Sequence, residues 1–141
     1  MASKTVFLEH TADVLFESSG ASFEEALENA AQALFETIAD PSKVRGSNSL
    51  DVAVHAVSLE ELAVATLSRL LSEEDANEWF FKSFRVTEFA KTTRGYSLKG
   101  IVEGGDANRE AGRMTVKAVT HHETRVTQEG NSWKIRILLD I

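Results

Sequence analysis

The most chemically suggestive residues stand at the two ends of the chain, His10-Thr11-Ala12-Asp13 near the start and Leu139-Asp140-Ile141 at the finish. Asp140 precedes the carboxylate of Ile141, and neighbouring carboxylates repel one another unless a cation, an arginine or a cluster of amides offsets them. Solvation at a frayed end would also relieve the repulsion. Against fraying, Leu138-Leu139-Asp140-Ile141 stays apolar to its last residue, which predicts a packed terminus. Asp13 has a structural explanation of its own, an Asx-turn between two strands with the carboxylate bonded to a nearby amide.

Other chemistries find no footing. The chain has no cysteine, so disulfides and thiolate metal sites are out and a reducing compartment is the natural setting. It carries no phosphate-binding glycine loop, no His-Glu-x-x-His motif and no recognisable Ser/His/Asp triad. Trp79-Phe80-Phe81 has the composition of a base-stacking platform, yet an aromatic cluster entering a strand is far more often core. Glu24, Glu28, Gln32 and Glu36 form a stripe at i, i+4 spacing, which reads as a solvated face or as an acidic docking surface for a basic partner.

Two helices and about seven strands must position these residues. Lys4 to Glu9 and Val14 to Ser18 read as strands on their β-branched and aromatic content. Ser22-Phe23-Glu24-Glu25 and Ser58-Leu59-Glu60-Glu61 are capping boxes that open helices. The first helix runs to Asp40-Pro41, with Phe23, Ala26, Leu27, Ala30, Ala33, Leu34 and Ile38 on one face. The second turns Leu59, Leu62, Ala63, Leu67, Leu70 and Leu71 inward. Leu50 to Val57, Trp79 to Phe89, Tyr96 to Glu103, Met114 to Gln128 and Trp133 to Leu139 complete the strands, separated by turns such as Arg94-Gly95 and Gly130-Asn131. The order β-β-α-β-α-β-β-β-β predicts an α+β, two-layer domain in which two helices cover one face of a mixed sheet.

Alternation along Met114 to Gln128 places Met114, Val116, Ala118, Thr120, His122 and Val126 on one face. His122 therefore falls on the apolar side, where a lone histidine is more often a satisfied core residue than a working one, and His121 falls on the charged side with Lys117. In the last strand, Trp133, Ile135, Ile137 and Leu139 share one face while Lys134, Arg136, Leu138 and Asp140 share the other.

At 141 residues, with 43% apolar and 26% charged residues, the chain fits a single globular domain over 1–141. It has neither a signal-peptide core nor an apolar run long enough for a transmembrane helix, so we read it as cytoplasmic and membrane-free. A net charge of −7 disfavours general nucleic-acid binding. The charge is uneven: residues 1–77 hold 4 basic and 14 acidic side chains, and residues 78–141 hold 11 and 8.

Several segments together resemble the archease family, small proteins that activate the RtcB-type RNA ligase of tRNA splicing. They are His10-Thr11-Ala12-Asp13-Val14, Ser22-Phe23-Glu24-Glu25-Ala26, Ser58-Leu59-Glu60-Glu61-Leu62, Leu98-Lys99-Gly100, Lys117-Ala118-Val119-Thr120 with His122, and Leu139-Asp140-Ile141. The likeness runs nearly end to end. It departs at Leu15, where a glycine is usual, at Ala65, where a tryptophan is usual, and between Gly104 and Met114.

The resemblance implies a divalent-cation site made by Asp13, Asp140 and the main-chain or terminal oxygens of Ile141. Calcium is the expected ion, with magnesium or manganese as alternatives, because hard oxygen donors without sulfur disfavour zinc. It also implies supporting roles for His10, His122 and Lys117. The function implied is that of a protein cofactor promoting guanylylation of the ligase by GTP and its multiple turnover, in indirect contact with RNA ends. A chaperone-like assembly factor using the acidic stripe, direct RNA binding through the more basic half, and a hydrolase using Asp13 and His122 are the competing readings.

Overall fold

The computed structural model describes residues 5–9 and 13–141. Among them are β1 (Thr5–Leu8), β2 (Asp13–Gly20), α1 (Phe23–Ile38), a 3-10 turn (Pro41–Lys43), β3 (Asn48–Ala56), α2 (Leu59–Asn77), β4 (Trp79–Thr92), β5 (Gly95–Asp106), β6 (Ala118–Glu129) and β7 (Ser132–Asp140). The α+β class and the element order are those expected.

Both helices start where the sequence places them, because the caps are local chemistry. Ser22 Oγ accepts from Glu25 N at 3.0 Å while Glu25 Oε1 accepts from Ala21 N at 2.6 Å, and Ser58 Oγ accepts from Glu61 N at 3.1 Å. Each such cap contributes about 1 kcal/mol. Gly20 lets β2 run straight into α1, since a Cβ there would lie 2.6 Å from Ala26 N.

The sheet differs from expectation. The strands form two sheets, ordered β1-β2-β7-β6 and β3-β5-β4, and every pairing is antiparallel rather than mixed. The helices do not lie on one face of a single layer: α1 packs against β2 and β7 of the first sheet and β4 of the second, and α2 against β6 and β3. The physical cause is the 107–117 segment, whose last residues, Met114 to Lys117, read as strand by alternation but which crosses from one sheet to the other. Asp40 N donates to Ala111 O at 2.8 Å, Arg113 N donates to Ile38 O at 2.8 Å, and Ala111 and Val116 are buried. Those bonds tie the segment to the end of α1, so Met114 to Lys117 precede the strand instead of opening it.

One continuous core joins the layers. Phe16, Phe23, Leu27, Leu34, Phe35, Leu62, Leu67, Leu70, Phe81, Leu98, Ile135 and Ile137 are fully buried, each stabilising the fold by about 1.5–3 kcal/mol. Phe35 and Phe81 meet edge-on at 5.6 Å between ring centres, so Phe81 of the aromatic cluster that opens β4 is core, while Trp79 and Phe80 pack half-buried against it. The acidic stripe of α1 is partly structural: Glu28 Oε2 accepts from Val86 N at 2.8 Å, beside a bulge in β4.

Glu74, in the last turn of α2, is the one buried charged-type side chain among the described residues. Its Oε2 accepts from Phe81 N at 2.7 Å, tying α2 to β4, while Oε1 finds no partner there. Burial pushes its carboxyl up to about 8; the bond from Phe81 lowers it and the neighbouring Asp75 charge raises it. Between the unfolded value of 4.5 and about 8, the folded chain holds a proton that the unfolded chain releases, so stability falls as pH rises through that window. Chemical denaturation from pH 5 to 8 should show the native chain losing roughly 2–4 kcal/mol from this group. Glu74→Gln should lose far less over the same range and be the more stable protein at pH 8.

Candidate metal centre

The first sheet brings the chain's two acidic ends together. In the antiparallel pairing of β2 with β7, Asp13 lies directly opposite Asp140, followed by Val14 opposite Leu139, Leu15 opposite Leu138, Phe16 opposite Ile137 and Glu17 opposite Arg136. Directly opposed residues on such strands hold their Cβ atoms about 4.5–5.5 Å apart on one face. β7 is also paired on its other side, with Ala118 of β6 opposite Asp140, and Lys117 N donates to Asp140 O at 2.7 Å. The Asp140 backbone is thus held from both flanks while its side chain remains exposed.

Alternation sorts the rest. Phe16, Ile137 and Leu139 point into the core and are fully buried, so Asp13, Leu15 and Glu17 share the opposite face with Asp140, Leu138 and Arg136. On that outer face Leu15 and Leu138 are each only 5% exposed, an apolar pair directly beside the carboxylates. One row further, Arg136 closes an ion pair with Glu17 through Nη2 at 2.7 Å and Nε at 2.8 Å. The acidic pair therefore stands at the end of a face on which the nearest charge is already paired. Ile141 packs half-buried against the core, as the apolar ending predicts.

One expectation about the histidines comes out differently and another falls outside the described residues. His10, with Thr11 and Ala12, lies outside the described residues. His122 is exposed, not on the core side, because β6 is interrupted: Thr120 pairs with Leu138 and Arg125 with Arg136, so five steps along β6 cover two along β7. Three extra residues bulge out, with Glu123 left-handed at φ 57, Thr124 Oγ1 donating to Thr120 O at 3.0 Å and His122 N donating to Thr120 Oγ1 at 3.2 Å. An odd insertion inverts the alternation, so Val119 and Val126 both face the core although one number is odd and the other even. The Lys117 side chain is exposed and reaches the site through its backbone. The Leu15–Leu138 pair and the Glu17–Arg136 bridge escape sequence reading. Both sit at alternate positions from Asp13 and Asp140, a signal that acquires meaning once the two strands are known to be neighbours.

The donor set suits a hard divalent ion. Two carboxylates face one another across adjacent strands, with residue 141 next in the chain and no sulfur ligand, which is oxygen chemistry of the calcium or magnesium kind. Among the described residues no group of three His, Cys, Asp or Glu gathers around one point, so further ligands at this place would be main-chain oxygens or water.

Comparison with known proteins places this geometry in a family context. Residues 6–141 match the archease protein family. The protein archease of Methanosarcina acetivorans is 35% identical over 140 residues, covering 98% of this chain and 96% of the relative, and that of Aeropyrum pernix is 31% identical over 135 residues, covering 94% of each. A Methanobacterium thermoautotrophicum protein solved in solution superposes with a TM-score of 0.83 at 29% identity, covering 97% of this chain and 98% of its own. A Thermotoga maritima crystal structure, described as an archease and possible chaperone, shares the fold with a TM-score of 0.64 at 22% identity, covering 95% and 94%.

Like charges directly opposed on neighbouring strands destabilise. If the pair holds calcium, Asp13→Asn should abolish any rise in melting temperature that calcium gives the unaltered protein. A calcium-induced rise of equal size in both proteins would show that Asp13 takes no part in holding an ion.

Proposed function

The chain belongs to the archease family, and from that premise we propose that it is a protein activator of an RtcB-type RNA ligase, promoting GTP-dependent guanylylation of the ligase and its multiple turnover. The observation that carries the reading is the register of β2 against β7, which sets Asp13 opposite Asp140 with residue 141 alongside. In this proposal Asp13, Asp140 and main-chain or terminal oxygens of Ile141 hold a divalent cation, calcium before magnesium or manganese. Such an ion, when bound, supplies a positive centre able to engage phosphate oxygens.

The chain's own residues set the conditions for that. Lys117 N fixes the Asp140 backbone, the Leu15–Leu138 pair shields one side from water, and Glu17 occupies Arg136 so that its guanidinium does not compete for the carboxylates. His122, on an exposed bulge of β6, is available to an approaching partner. The protein acts here as a cofactor to an enzyme, in the cytoplasm, meeting RNA ends through the ligase. No helix among the described residues is long and apolar enough to cross a membrane.

Two alternatives lose support. Docking of basic clients on the α1 stripe would fall mainly to Glu36, which is exposed, since Glu28 accepts from Val86 N and Glu24, Glu28 and Gln32 are half-buried. Direct RNA binding through the more basic half requires a basic face. The outer face of β3-β5-β4 instead sets Arg85 and Lys99 among Asp51, Glu88 and Glu103.

A multiple-turnover ligation assay with an RtcB-type ligase, GTP and manganese tests the proposal. Adding this protein should raise turnover, and Asp13→Ala, Asp140→Ala or deletion of Ile141 should remove the stimulation while leaving circular dichroism unchanged. Full stimulation by the Ile141 deletion would exclude a metal centre built on that residue, and no stimulation of a cognate ligase by the unaltered protein would exclude the activator role.

A further inference from the structure

A second polar site lies between the end of α2, the start of β4 and the 107–117 segment. It is a pocket of about 280 Å³ lined by Leu71, Glu74, Asp75, Trp79, Phe80, Met114 and their neighbours. Two independent observations say that its chemistry is unfinished. The end of α2 gathers Glu73, Glu74, Asp75 and Glu78 with no basic residue in the last turn, and a helix C-terminus is already the negative end of its dipole. Arg69 answers Glu73 alone, at 2.8 Å. Glu74 is only 4% exposed, lines the pocket, and has an oxygen, Oε1, with no partner. Arg113, the one cation on the lining, is committed elsewhere, Nη2 to Asp40 at 3.7 Å and Nη1 to the carbonyl of Glu36 at 2.8 Å.

We propose that this pocket receives an arginine side chain of a protein partner, its guanidinium meeting the carboxyl groups of Glu74 and Asp75 and its plane lying on Trp79 or Phe80. Lysine fits less well, because a guanidinium is planar, weakly hydrated and able to give two parallel bonds to one carboxylate while stacking on an aromatic ring. Glu74 enters the pairing as a carboxylate, so its proton passes to solvent as the arginine binds. Asp75 and Arg113 are the other charged groups on the lining: burial holds the Glu74 proton on, with a smaller contribution from Asp75, and the Asp40 partnership keeps Arg113 from supplying the missing cation. The inference does not rest on the acidic pair of the first sheet or on any ligase.

The probe is N-acetyl-arginine N-methylamide, titrated into the full chain at pH 7 with the Trp79 indole resonance followed by NMR and calorimetry run in two buffers of different ionisation enthalpy. The probe should shift the Trp79 resonance and release a proton, and N-acetyl-norleucine N-methylamide, apolar and uncharged, should do neither. Glu74→Gln, nearly the same shape, should abolish proton release and weaken binding at least about tenfold, and the exposed Asp75→Asn should weaken binding while keeping the release. A native chain that ignores the arginine probe, a Glu74→Gln chain that binds it equally well, or tighter binding of butylammonium than of the guanidinium would overturn the proposal.

Discussion

The position of β7 between β2 and β6 is the constraint on which the rest of the molecule depends. It inserts the last strand beside the second, so residues more than 120 positions apart along the chain become neighbours. One face of that strand, Ile135, Ile137 and Leu139, supplies fully buried core; the other carries Arg136, Leu138 and Asp140. Because the side-chain period is two, a slip of one residue would exchange these sets, sending Asp140 into the core and Leu139 to the surface. Burial of three large aliphatic side chains, at about 1.5–3 kcal/mol each, therefore fixes the register that also sets Asp13 against Asp140. The repulsion of two facing carboxylates, a fraction of a kcal/mol to about 1 kcal/mol, is too small to shift it.

That arithmetic explains how the molecule tolerates unfavourable electrostatics at two places. At the end of the first sheet the strain of the acidic pair is small and spread into solvent, since Asp140 is exposed. At the end of α2 it is larger, because Glu74 lies in the interior with one oxygen bonded to Phe81 N and the other unanswered. In each case surrounding apolar packing holds charge-bearing groups where charge alone would not put them. These are the two places where we propose that a cation is met, a divalent ion at the first and a guanidinium at the second.

The 107–117 segment decides the architecture as much as any regular element. It carries the chain from β5, in the second sheet, to β6, in the first, and fastens itself to the end of α1 by main-chain bonds from Asp40 and Arg113. With the two sheets separated in this way, α1 and α2 pack against strands of both, and a single core forms between them. The charge asymmetry along the sequence dissolves in the same folding step: Arg85 and Lys99 share a face with Asp51, Glu88 and Glu103, and the Glu28 carboxylate becomes a hydrogen-bond partner of β4.

The sequence by itself determined whatever rests on neighbours a few residues apart. Ser22 with Glu25 and Ser58 with Glu61 place both helix starts, Pro41 ends the first helix, and period-two alternation sorts β7 into its Asp140 and Leu139 faces, because each is a local hydrogen-bond or steric rule. Residue types and motif resemblance were enough to single out Asp13 and Asp140. Only the tertiary structure decided that they face each other, that Leu15 and Leu138 lie beside them, and that the strands divide into two antiparallel sheets, since strand pairing is a contest among distant segments. It also reversed His122: three extra residues in β6 invert the alternation, and nothing in a single strand's pattern reveals how many residues its partner will leave unpaired. Glu74 escaped for the same reason, because a carboxylate on a helix reads as solvent-facing until another strand, here β4 through Phe81, is laid across it.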